Sequence, residues 1–192
     1  MKKLLGMSAV GALVLASSAF AAGPRTDEVT QRDVNQQNRI EQGLQSGQLS
    51  TKEAAQLEHQ QAKIDRTEAR DEKDGKLSTA EQAHINSMQN KASAAIARDK
   101  HNGVTGNPNS ASSKRMQADV QRNANQETRI AQGAKSGTLT NQQVGSLQRG
   151  QAHVDQKEAR VARDGYVGAG EQAGIQHSEN LQSNKIYRKK HN

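Results

Sequence analysis

The sequence predicts an all-α protein: two tandem three-helix repeats, each helix-turn-helix-turn-helix, behind a signal peptide. Three observations carry this. Residues 30–102 align with 120–192 without a gap at an offset of 90, with 31 of 73 positions identical, which marks a duplicated unit. Four turns of one design punctuate the chain. Gln, Asn, Ala and charged residues dominate, with 2% aromatics and no Cys, a composition suited to exposed helices rather than a large packed core.

Residues 1–21 read as a secretory signal. Lys2 and Lys3 form the charged start, Leu4 to Ala16 the short apolar run, and Ala19-Phe20-Ala21 a small-x-small cleavage site. Cleavage after Ala21 predicts a periplasmic or secreted protein. The run is too short for a comfortable membrane span, so no span is expected in the mature chain. Loss of the two lysines lowers the formal charge from +7 to +5.

The turn Asp74-Gly75-Lys76-Leu77-Ser78-Thr79-Ala80-Glu81 sets the pattern. Gly75 suits the left-handed position past a helix end. Ser78 and Glu81 form a capping box for the next helix. Ser50 with Glu53 and Thr140 with Gln143 repeat the box. Gly168 with Glu171 is a weaker version, because Gly lacks a side-chain acceptor. Leu49 and Leu139 can staple to Ala54 and Val144. Leu77 and Val167 have Gln at that position and should point into the bundle.

These turns place three helices in the first repeat, residues 22–102, at about 27–45, 51–73 and 79–100. The first is the weakest, with sparse Val29, Val34, Ile40 and Leu44 and a helix-weakening Gly43. The second carries Ala54, Leu57, Gln61 and Ile64, a heptad-like seam with a polar gap at Gln61. The third carries Ile85, Met88, Ala92, Ala95 and Ile96. Counting from Gly75, Ile64 lies level with Ile85 and Met88, so the last two helices form an antiparallel hairpin. Residues 103–113, with Gly106 and Pro108, read as a flexible linker. The second repeat, 114–192, sets Leu147 and Val154 against Ile175, Leu181 and Ile186. So thin a core predicts marginal stability for one copy alone. Packing of the copies on each other, or homodimerisation, would add burial.

The turns also resemble degraded EF-hand loops. With Gly75 as the sixth loop residue, Asp74 and Glu81 fall at the fifth and twelfth ligand positions, and Asp164 and Glu171 do so in the last turn. Arg70 and Arg160 stand where the first carboxylate belongs. His153 and His177 lie twelve residues either side of Gly165, at one level of a hairpin, and could share a transition metal. Arg188, Lys189 and Lys190 form the one dense basic cluster, suited to an anionic envelope surface. Export and the lack of an aromatic platform argue against nucleic acid. Asp71 and Glu72 read as solvated charge at a helix end.

No Ser-His-Asp arrangement, phosphate loop or nucleophilic Cys is present, so no enzyme activity and no obligatory cofactor is expected. The pattern Arg-Ile-x-Gln-Gly-x-x-Ser-Gly-x-Leu, then Glu-Ala-Arg, Asp-Gly and Glu, then Lys-His-Asn resembles small exported proteobacterial proteins of unknown function built from one or two such units. That resemblance implies the repeat fold and export, and brings no ligand or catalytic residue. Three functions stay open. The first is a non-enzymatic interaction or envelope-stress module with a protein or envelope partner. The second is a metal-binding or metal-buffering protein that takes calcium at the turns or a transition metal at the histidines. The third is a binder of anionic surfaces.

Overall fold

The computed structural model describes residues 26–191. The signal peptide expected over 1–21 lies outside the described residues. Among the described residues there are six α-helices and no strand: α1 Thr26–Ser46, α2 Thr51–Asp71, α3 Thr79–Asp99, α4 Ala111–Ser136, α5 Asn141–Val161 and α6 Ala169–His191, with a 3-10 turn at Ala162–Asp164 before α6. None of these helices is long and apolar enough to cross a membrane. The all-α expectation holds, and the helix ends fall within two residues of the expected ones in the first half.

The turns work by capping, as their spacing predicts. Ser50, Ser78 and Thr140 each accept from the backbone N–H three residues on, and Glu53, Glu81 and Gln143 accept from the cap N–H in return. At the fourth turn only half the box survives: Gly168 N–H donates to Glu171 Oε2 at 2.8 Å. Leu49 and Leu139 serve a further purpose. Each folds back over a helical glycine, and a Cβ on Gly43 or Gly133 would sit 2.5 Å from the leucine Cδ1. The Gly-x-x-Ser-Gly-x-Leu spacing is thus a helix end closed by a leucine on bare backbone. Its N–H seals the contact, with Leu49 donating to the Gly43 carbonyl at 2.9 Å and Leu139 to Gly133 at 3.0 Å.

Two separate three-helix units in tandem do not describe the packing. The most extensive contacts join the halves, α2 against α5 and α1 against α4. These four helices form the centre of the bundle. α3 covers α1 and α2 on one side, and α6 covers α4 and α5 on the other. Each half has too few aliphatics to close a core alone, and the cross-packing supplies the missing burial. One apolar cluster joins Ile40, Leu44, Leu57 and Ile96 of the first half to Met116, Val120 and Val167 of the second. Ile64, Ile85 and Met88 meet as the hairpin register predicts, and Ala92 joins the same cluster. Leu181, expected in the core, is half exposed at 51%, while Leu147 and Ile186 pack together without it.

The linker is tethered rather than free. Gly106 N–H donates to the Gly47 carbonyl at 2.8 Å, and its missing Cβ would lie 2.3 Å from the Leu49 carbonyl oxygen. Ser110 then caps α4, which starts inside the expected linker.

Candidate metal centre

The seam between the halves is polar. Along α2 and its C-cap, Glu58, Gln61, Asp65, Glu68 and the cap residue Glu72 recur at spacings of three and four, which puts them on one stripe. α5 repeats the stripe with Gln148, Gln151, Asp155 and Glu158. All nine are buried. Asp33 and Gln37 on α1, and Asn123 and Glu127 on α4, lie one turn apart on their helices and are buried too. The polar gap read at Gln61 is one member of this continuous buried stripe. Asp71 and Glu72, expected to be solvated, are 8% and 0% exposed. The correction has a plain cause: the end of α2 is covered by the other half.

Three carboxylates converge most tightly. Oxygens of Glu58, Asp155 and Glu158 lie within 4.8 Å of one another, the one such group of three potential ligands among the described residues. Two amides frame it. Gln37 Nε2 donates to Glu58 Oε2 at 3.0 Å. Asn123 Nδ2 donates to Asp155 Oδ1 at 3.0 Å and to both Glu158 oxygens at 2.9 and 3.0 Å. Glu58 Oε1 and the carbonyl oxygens of Gln37 and Asn123, all buried, have no hydrogen-bond donor among the described residues. Among the described residues no ion pair reaches the three carboxylates; Arg122 of the same helix as Asn123 pairs instead with Glu179 at 3.2 Å.

Burial without a counter-charge dictates the electrostatics. Desolvation pushes Glu58 up to about 7, and pushes Asp155 and Glu158 well above their ordinary values, with repulsion from Glu58 adding to both. The same cause raises Glu68 to about 7 and Glu127 to about 8, and Asp33 and Asp65 well above their ordinary values. At the margins, Glu72 rises to about 9 and Glu179 to about 8. A layer of this kind must hold protons or a cation. The donors are all oxygen, carboxylate and amide, which suits hard cations such as calcium, magnesium or manganese. With neither Cys nor His in the layer, softer zinc or copper has no preferred ligand there.

The residues singled out from the turns lie elsewhere. Asp74 Oδ1 and Asp164 Oδ1 each accept from the backbone N–H two residues on, at 2.9 Å. Glu81 and Glu171 are held by the capping contacts described above. His153 and His177 are both exposed. None of the six belongs to the convergent group. Arg188 is exposed, Lys189 is half-buried, and Lys190 Nζ donates to the Arg129 carbonyl at 3.3 Å.

No protein-family model, curated protein or solved structure matches the chain.

Proposed function

We propose that this is a metal-binding protein that takes a hard, oxygen-preferring cation at Glu58, Asp155 and Glu158. The observation that carries the reading is the convergence of three fully buried carboxylates, with no ion pair to balance them among the described residues. Gln37 and Asn123 turn their N–H groups onto these carboxylates; rotation of each amide would bring its carbonyl, which has no donor, to a bound cation and complete the oxygen set. The reading keeps the metal-buffering function that the turns suggested and moves it from the turns to the seam. With the export that residues 1–21 predict, the role is cation buffering in the envelope. The interaction-module and anionic-surface readings draw on no comparable feature of the fold.

The test is direct titration of the mature chain, freed of metal, with calcium, manganese and zinc. Calcium or manganese should bind and raise the melting temperature, with zinc weaker. Glu58→Gln should weaken the binding at least tenfold, and Asp74→Asn with Glu81→Gln should leave it unchanged. Binding lost in the turn variant and kept in Glu58→Gln would overturn the assignment.

A further inference from the structure

We propose that the bundle carries a second ion position, related to the first by the internal repeat, and that the two form one dinuclear hard-cation centre with Asp65 and Asp155 at its middle. The proposal rests on the reading of the Glu58 site as a metal site and extends it.

The correspondence at an offset of 90 residues is complete. Glu58 pairs with Gln148, Asp65 with Asp155, and Glu68 with Glu158. On the flanking helices Asp33 pairs with Asn123, and Gln37 with Glu127. Applied to the first site, this relation yields Glu127, Gln148, Asp33, Asp65 and Glu68. The structure joins four of the five, Asp33, Glu68, Glu127 and Gln148, in one hydrogen-bonded group, although no three of the carboxylates converge within 4.8 Å as those of the first position do. Gln148 Nε2 donates to Glu68 Oε2 at 3.0 Å and to Glu127 Oε2 at 3.2 Å. Asp33 shares the Gln89 amide with Glu68, at 2.7 and 3.4 Å. All five are 2% exposed or less.

Three of the five pairs set a carboxylate opposite an amide. Every pair keeps its side-chain length and a side-chain oxygen, and oxygen is the group that cation coordination asks for. The first position has three carboxylates and two amides, the second four carboxylates and one amide. At each position an amide stands between two carboxylates, Asn123 between Asp155 and Glu158 and Gln148 between Glu68 and Glu127, and its N–H group fills the role that a cation would take. Asp33 Oδ2, Asp65 Oδ2 and Gln148 Oε1, all buried, have no donor among the described residues. Asp65 and Asp155 lie side chain to side chain where the two positions meet. One ion at the first position would leave the second set of carboxylates without a counter-charge. Two ions flanked by shared carboxylates solve both halves at once, and metal pairs in two-metal sites stand about 3.5–4 Å apart.

Manganese is the probe. Equilibrium dialysis of the metal-free mature chain should give two ions per chain, and its electron paramagnetic resonance spectrum should be that of a spin-coupled pair. Asp33→Asn with Glu127→Gln should leave one ion with the six-line signal of isolated manganese. Each change preserves shape, and circular dichroism checks that the helices persist. One ion in the wild type, lost in Glu58→Gln but kept in Asp33→Asn/Glu127→Gln, overturns the pair and leaves the first site standing. No ion in the wild type overturns both. Two uncoupled ions, or a coupled pair that survives in Asp33→Asn/Glu127→Gln, also overturns the proposal.

Discussion

Asp65 and Asp155 hold equivalent places in the two halves and meet across the seam between α2 and α5, each burying a carboxylate beside the other. Two acids in that position oppose the fold unless a proton or a cation joins them. Asp155→Asn should therefore stabilise the metal-free protein at pH 8 by about 1–2 kcal/mol, or roughly 2–8 °C. The same change should weaken manganese binding. Thermal melts in chelator and with metal read both effects from one sample.

The pH dependence has a definite sign. Burial raises Glu58 and Glu68 to about 7 and Glu127 to about 8, from an ordinary 4.5. Between those values the folded chain holds protons that the unfolded chain has released. Stability of the metal-free protein is thus full below about pH 4.5 and falls as pH climbs through 7 to 8. Melts in chelator should drop on the order of 10 °C from pH 5 to pH 8.5.

Metal should reverse that loss. A cation at a hundred times its dissociation constant adds about 2.7 kcal/mol, or about 5–10 °C for a chain of this size. The gain should shrink as pH falls toward 5, because the ion then competes with protons. Calorimetry in buffers of different ionisation enthalpy would count the protons released.

Glycine positions separate packing from propensity. Gly43→Ala gains up to about 1 kcal/mol of helix propensity but drives a methyl into Leu49, and overpacking costs about 1–3 kcal/mol. The melting temperature should fall. Gly170, in the first turn of α6, has open space around it, so Gly170→Ala should raise it.

The caps should matter to stability and not to metal. Ser78→Ala removes a capping acceptor at an exposed turn and should cost about 1 kcal/mol. Metal stoichiometry in that variant, and in Asp164→Asn/Glu171→Gln, should match the wild type by dialysis.

Much of the fold was legible because its signals are local. A cap and its partner three residues on, or a glycine past a helix end, need no knowledge of the rest of the chain. The apolar register of Ile64 with Ile85 and Met88 was legible for the same reason, since Gly75 fixes the count. The carboxylate layer was hidden because each acid is ordinary on its own helix. Asp71 and Glu72 look solvated until α2 is known to lie against α5. One signal was available: Glu58, Gln61, Asp65 and Glu68, and their counterparts ninety residues on, share a single stripe in both copies. Reading Gln61 as a lone gap among aliphatics missed it. Leu181 failed in the opposite sense, an apolar residue at a fitting level whose side of α6 faces water.

The cross-packing of the halves carries a consequence for how such a chain behaves when cut. Gln37 and Glu58 come from one copy, and Asn123, Asp155 and Glu158 from the other. A polypeptide holding a single copy owns only part of the coordination shell and must meet a second molecule to complete it. Joining the copies in one chain, by eleven residues tied down at Gly106, makes that encounter intramolecular, at an effective concentration on the order of millimolar. Assembly of the shell then no longer depends on dilution, and the two copies are free to diverge, acid in one and amide in the other, as two identical molecules could not.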